Sequence, residues 1–264
     1  MEKASAAIPA GSAISLTYLH HETLDDRVIA ARAARRLGFV PVPHIAARRL
    51  RSAAELSTQL ARFSAEAAVD RVFVIAGDVD SVDGPYKDSL SVIRSGCLEA
   101  NGVRSVGIGG HPQRHPKVPQ AELWQALRDK VQALQERGLG CEIVTQFGFE
   151  ADPVLVWLAR LRQDGIAVPV RIGLPGPASV AALLRFAARC GVGTSAKMLS
   201  KYGGTMGRLI GSAGPERLAD ALLEKLSSDV HGEIRIHLYP FGGLARAAEW
   251  AEAFRGAARS QKVS

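Results

Sequence analysis

Val72-Phe73-Val74-Ile75-Ala76-Gly77-Asp78 is a short, β-branched apolar run that stops on a glycine and a carboxylate. A run of this length, bounded by a turn signal, reads as a buried strand with a polar residue at its C-terminal end. Working outward, similar runs occupy 14–19, 40–45, 105–110, 141–147, 169–174 and 233–239. Amphipathic stretches separate them at 24–37, 53–67, 87–100, 120–137, 153–163, 178–189, 215–227 and 244–254. Several of these have readable ends. Gly38, Gly102, Gly138 and Gly165 stand where a left-handed residue closes a helix. Ser52 and Asp152 are placed to cap two starts, Asp152 with Pro153 in the first helical position.

The alternation of strand and helix predicts βα units and a parallel sheet, hence the α/β class. Strand starts at 14, 40, 72, 105, 141, 169 and 233 are evenly spaced except the last, whose interval of 64 residues is about twice the others. Either a short eighth strand lies at 191–195 or 196–210 is a helical excursion. A doubly wound sheet is the rival, but no Gly-x-Gly-x-x-Gly turn follows the first strand. The expectation is a parallel β/α barrel of the TIM type. It forms a single domain over 1–264, with an N-terminal segment at 1–12 and a loose tail at 260–264.

Hydrophobic residues make up 47% and charged residues 22%, the balance of an ordinary globular chain. No apolar window approaches the roughly 18 residues of a membrane span, and the start has no basic region leading into an apolar one, so a cytoplasmic protein with no membrane partner is expected. Cys97, Cys141 and Cys190 match no metal clip or disulfide framework. The net charge of +7 raises an acidic partner, a nucleic acid or an anionic small molecule. The basic clusters Arg32, Arg35 and Arg36, Arg48, Arg49 and Arg51, and Arg160 and Arg162 lack aromatic interleaving. They read as solvated helix faces, which argues against nucleic acid.

In a parallel barrel the strand C-termini open into one mouth, so polar residues there carry functional weight. They are Thr17, Tyr18, His20, His21 and Glu22, then His44, Asp78, His111 and His115, Gln146 and Glu150, and His237 and Tyr239. His20, His21, Glu22, His44, His111 and His115 raise a metal, but no Pro-Cys-x-x-Cys or His-Glu-x-x-His accompanies them, and none is expected. No Gly-x-Ser-x-Gly occurs and no cysteine ends a strand, which leaves nucleophilic catalysis without support. A carboxylate (Asp78), an amide (Gln146) and aromatic walls (Tyr18, Phe147, Phe149) suit a flat, hydrogen-bonding heterocycle.

Val-Pro-His-Ile at 42–45, Val-Ile-Ala-Gly-Asp at 74–78, His-Pro-Gln-Arg-His-Pro at 111–116, Val-Thr-Gln-Phe-Gly-Phe-Glu at 144–150 and Gly-Leu-Pro-Gly-Pro at 173–177 stand in a recognisable order. From about residue 14 to the end, the chain resembles the methylenetetrahydrofolate reductase family. The resemblance implies a β/α barrel that passes hydride from NADH or NADPH, through FAD or directly, to 5,10-methylenetetrahydrofolate to give 5-methyltetrahydrofolate. It implies that Gln146 hydrogen-bonds the pterin, that Phe147 and Phe149 line its slot, and that Asp78 lies beside the reacting groups. Thr17, Tyr18, His44, Ala76, Gly77, Tyr86, His111, His115 and Lys130 fall where the family contacts FAD. A carboxylate beside an electrophilic iminium stabilises it, while hydride transfer depends on stacking and orientation.

The chain departs from the family pattern at its start. Thr17-Tyr18 aligns with the family's second strand, so the first strand and its general acid are missing or supplied by 5–13. Glu22 and Glu150 are the carboxylates placed to substitute. Ala-Gly-Asp replaces the usual Arg-Gly-Asp, His111-Pro112 replaces Tyr-Pro, and Asp129 replaces a basic neighbour of Lys130. A divergent branch of the family works without flavin. The alternative is a catalytically lapsed or accessory folate-binding barrel. Sequence leaves the oligomeric state open.

Overall fold

The computed structural model describes residues 1–19, 21–113, 115–192 and 212–261. The strands among them are β1 Ala13–Leu16, β2 Val40–Ala46, β3 Arg71–Ile75, β4 Ser105–Gly110, β5 Gly140–Phe147, β6 Val170–Pro175, β7 Ala178–Ser179, β8 Ser212–Ala213 and β9 Ile234–Tyr239. The helices are α1 Leu24–Arg36, α2 Ala53–Ala67, α3 Ser89–Arg94, α4 Cys97–Ala100, α5 Gln120–Glu136, α6 Ala151–Gln163, α7 Val180–Arg189, α8 Glu216–Lys225, α9 Ser228–His231 and α10 Leu244–Gln261. Seven strands form one sheet in the order β1-β2-β3-β4-β5-β6-β9, and β7 and β8 form a separate antiparallel pair. Sequence neighbours are sheet neighbours throughout, with no reversal of order. That is the strand order of a TIM-type β/α barrel, where a doubly wound sheet would place its first strand inside.

The chain forms two compact units. The first comprises 9–109 and 124–143, and the second comprises 1–8, 110–123 and 144 onward. In the first unit β1 to β4 pair in parallel, for example Ile14 with Pro41, Ile45 with Val74 and Val72 with Val106. Ile45, Val72, Val74, Val106 and Ile108 are buried at every second position, the signature of a sheet packed on one face. Leu56, Leu60, Phe63 and Ala67 of α2 recur at helical spacing and are likewise buried. Each large apolar side chain sequestered in this way stabilises the fold by about 1.5–3 kcal/mol. Ser52 caps α2 by accepting from the Glu55 amide at 3.1 Å, as expected. Gly38, Gly102, Gly138 and Gly165 all take positive φ.

In the second unit β6 and β9 pair in parallel from Val170 with Ile234 to Pro175 with Tyr239. The side chain of Thr145, fully buried on β5, accepts from the Gly173 amide at 2.8 Å, and Thr145 O accepts from the Tyr239 hydroxyl at 3.0 Å. A Cβ at Gly173 would lie 2.6 Å from Thr145 O and 2.8 Å from Tyr239 Cε2, so only glycine fits.

Several boundaries differ from expectation. The helix expected over 87–100 breaks at Gly96, whose φ of 81° is left-handed. α6 starts at Ala151, which puts Pro153 third, where its missing N–H still costs no intrahelical bond. Asp152 therefore lies inside the helix and pairs with Lys225 at 2.8 Å instead of capping. Residues 5–13 supply no strand ahead of β1, because Glu2–Ala7 is a 3-10 turn in the second unit, packed on α10. α10 runs to Gln261, well past 254 and into the expected tail. Gly191 and Val192 are irregular; 193–195, the excursion at 196–210 and His20 lie outside the described residues.

The arginine clusters are also more than solvated faces. Arg35 donates to the carbonyls of Ala67 (3.0 Å) and Ala68 (2.6 Å). Arg162 donates to those of His231 (2.7 Å), Ile166 (2.6 Å) and Val168 (2.9 Å). A guanidinium carries five donors in a fixed fork, enough to hold several loop carbonyls at once. Part of the positive charge thus serves the chain's own backbone.

Candidate functional site

In the first unit the ends of β1, β2 and β3 bring Tyr18 and Asp78 to a pair of arginines. Arg49, in the 3-10 turn Ala47–Arg49 that follows β2, donates from Nη2 to Asp78 Oδ1 at 2.9 Å. The Asp78 side chain is 75% exposed and that of Arg49 only 19%. The hydrogen bond to Asp78 is the main cause of the raised pKa of Arg49. The Arg49 guanidinium stands 5.5 Å from the Tyr18 ring centre, and the buried Arg27 guanidinium stands 4.8 Å from the same ring. Arg27 also donates to Gln59 Oε1 at 3.1 Å and to the His44 carbonyl. Burial lowers the pKa of Arg27, and the charges of Tyr18 and then Glu22 oppose that shift. Glu22 is half-buried just ahead of α1.

The other first-unit residues divide by accessibility. Thr17 is exposed beyond β1, and Ala76 and Gly77 are half-buried between β3 and Asp78. The His44 ring lies 4.8 Å from that of Phe73. Tyr86 is buried, its hydroxyl 3.8 Å from Cys97 Sγ, and burial pushes its pKa up. Lys130 on α5 is held by burial below the usual ammonium range, with Cys141 and Asp88 acting against that shift. Burial pushes the neighbouring Cys141 thiol up to about 12. These residues fit FAD poorly. The Tyr18 ring is flanked by guanidinium groups and Tyr86 turns its hydroxyl to Cys97. The ammonium that would meet a phosphate is desolvated inside the protein.

The second unit holds a recess lined by His111, Pro112, Gln113, His115, Gln146, Phe147 and their neighbours. Its space for a water-sized sphere is about 20 Å³, room for about one water. The His111 and His115 rings meet edge to face at 5.2 Å. His115 Nδ1 accepts from the Lys117 amide at 3.2 Å, and burial, then the charge of Lys117, lowers the pKa of His115. Gln146 Oε1 accepts from the Phe147 amide at 3.1 Å, which leaves its amide N–H groups directed elsewhere. Gln113 Oε1 is buried with no hydrogen-bond partner among the described residues. An orphaned acceptor of this kind wants an N–H donor from outside the chain.

Phe147 is 2% exposed and Phe149 8%. Both belong to a cluster with Ala178, Leu183 and Val192, packed against Phe186, Tyr239 and Phe241. Phe147 lines the recess and Phe149 does not, while Glu150 is exposed at the start of α6. His237 on β9 lies 4.9 Å from the Tyr239 ring, its pKa pushed down to about 4 by burial and then by Arg171.

The sequence-chosen residues thus gather in two groups, Tyr18 with Asp78 in the first unit and His111, His115, Gln146 and Phe147 in the second. Tyr86 and Lys130 keep interior partners of their own. Sequence reasoning passed over Arg27, Arg49 and Gln113. Gln113 lies within a quoted motif, but an orphaned oxygen has no sequence signal. Among the described residues, no group of three or more His, Cys, Asp or Glu is arranged to hold a metal ion. None of the described helices is long and apolar enough to cross a membrane.

No protein-family model matches the chain. Among solved structures it is similar to a dihydropteroate synthase of Burkholderia cenocepacia, with a TM-score of 0.43 and 17% identity over 94% of this chain and 84% of that one. In sequence it is 29% identical over 107 residues to methylenetetrahydrofolate reductase 2 of Saccharomyces cerevisiae. That match covers 39% of this chain and 17% of the yeast protein, so the chain spans about a sixth of the length of the curated relative.

Proposed function

We propose that this protein is a methylenetetrahydrofolate reductase-like oxidoreductase that reduces 5,10-methylenetetrahydrofolate with a hydride taken directly from NADH or NADPH. The observation that carries this reading is positional. The motifs at 42–45, 74–78, 111–116, 144–150 and 173–177 fall within or just beyond β2, β3, β4, β5 and β6, in the sheet order in which those strands pair. The sequence match to a yeast protein of that name points the same way.

The negative charge of Asp78 is of the kind that stabilises the iminium formed when the methylene bridge opens. Gln146 and Phe147, which line the recess of the second unit, are of the kind that offers amide donors and an apolar wall to a pterin. The hydride pair forms the new C–H bond at the iminium carbon, and N10 of the opened bridge takes up one proton. Glu22 and Glu150 are the carboxylates proposed to deliver it. No step is assigned to a flavin, because Tyr18, Tyr86 and Lys130, which fall where it would be held, face groups within the protein.

The test is NADH- and NADPH-dependent formation of 5-methyltetrahydrofolate by purified protein, with and without added FAD. Product without FAD is expected; product only with FAD would restore a flavin step. A folate-binding barrel without turnover is the second reading, favoured because residues 5–13 form no strand ahead of β1 on which the family's acid would stand. It requires folate binding with no product from either the wild type or Asp78→Asn.

A further inference from the structure

Arg48 and Arg49 sit side by side in the turn Ala47–Arg49, and together they hold the segment that carries Asp78. The Arg48 amide donates to Ala76 O at 2.9 Å, and Arg48 O accepts from the Asp83 amide at 2.9 Å. The Arg48 guanidinium donates from Nε to Lys87 O at 2.9 Å and from Nη1 to Val79 O at 3.0 Å. These bonds reach both ends and the middle of 76–87. The same segment packs without slack on the residues that follow the turn, since a Cβ at Gly84 would meet Leu50 O and lie 2.5 Å from Arg51 O. Arg49 then reaches the side chain of Asp78 itself. Its own freedom is small, because the Arg49 side chain is only 19% exposed and its guanidinium stands 5.5 Å from the Tyr18 ring centre.

We propose that the Ala47–Arg49 turn is a positioning device for Asp78, in which Arg48 fixes the backbone that carries the carboxylate and Arg49 aims that carboxylate. This rests on the reductase reading. An exposed aspartate on a loop samples many rotamers, and a salt bridge to an equally mobile partner would gain little. Here the partner is held by burial and ring contact, so the ordering cost falls mainly on one short side chain. Preorganised charge of this kind acts on the transition state rather than on substrate affinity.

The test combines amide hydrogen exchange with kinetics. Arg48→Gln is expected to speed exchange across 77–87 by about tenfold, with Arg48→Lys intermediate because it keeps one donor. Arg49→Gln is expected to leave that exchange unchanged and to lower kcat about tenfold, with KM for methylenetetrahydrofolate within about twofold; Arg49→Lys recovers most of the loss. Unchanged exchange in both Arg48 variants, or wild-type kcat in Arg49→Gln, overturns the proposal. Exchange is read without substrate, so a wild type that makes no product removes the reductase reading and the catalytic use of the pair, while exchange still decides the Arg48 clamp.

Discussion

Tyr18 and Phe147 are both aromatic residues at or just past the end of a strand, yet their surroundings are opposite. Tyr18 stands among guanidinium groups that are themselves tied to Gln59, to the His44 carbonyl and to Asp78. Phe147 stands among rings, with Phe241 at 4.8 Å, Tyr239 at 5.4 Å and Phe149 at 5.8 Å. In the first unit polar groups answer one another, and Arg49 holds a carboxylate. In the second, Gln113 Oε1 is buried without a donor among the described residues. One unit holds a charge in place, and the other buries an acceptor beside its aromatic cluster.

The largest effect expected on this contrast concerns the apolar side. His237 ionises at about 4 in the folded protein and at 6.5 in a free side chain, so between these values the unfolded chain binds more protons. Its contribution to stability is complete above pH 6.5 and is lost as pH falls toward 4. The span corresponds to on the order of 3 kcal/mol at about 1.4 kcal/mol per unit. Denaturant unfolding of wild type and His237→Gln across that range measures it; equal pH slopes would show that the imidazole is not held neutral by the second unit.

Gly173→Ala tests the backbone beneath the rings. The added carbon would press on Thr145 O, Tyr239 Cε2 and the Phe147 amide, at a cost of about 2–3 kcal/mol in unfolding free energy. In the first unit Gly84→Ala presses on the Leu50 and Arg51 carbonyls, and the strain falls on the segment that Arg48 clamps rather than on the sheet. It is expected to cost about 1 kcal/mol and to speed exchange mainly at 79–87. A global loss as large as that of Gly173→Ala would erase the distinction between the two sides.

The smallest effect has the sharpest sign. Gln113→Leu removes a buried acceptor that no described residue satisfies, so the ligand-free protein is expected to gain about 1 kcal/mol while pterin binding weakens. Thermal unfolding and tetrahydrofolate titration of the same variant read both. Lower stability with unchanged binding would show that the oxygen is satisfied within the folded protein.

Much of the fold was legible because its signals are local. Ser52 and the glycines at 38, 102, 138 and 165 announce helix ends through the conformations and bonds their own types allow. The start of α6 is not legible, because Pro153 is tolerated anywhere in a first turn and the sequence does not distinguish its first position from its third. The break at Gly96 was missed because the residues around it keep an amphipathic pattern.

The candidate site was legible only in part. Alternating apolar runs determined the strands, and the polar residues ending them determined which side chains to consider. Which of these act together was decided by contacts between distant parts of the chain. Arg49 meets Asp78 across 29 residues and Arg48 meets Lys87 across 39. An arginine beside another arginine has the same sequence appearance on a wet helix face as in a turn clamped to a loop. The difference lies in which carbonyls and carboxylates face it, and chain folding alone sets that.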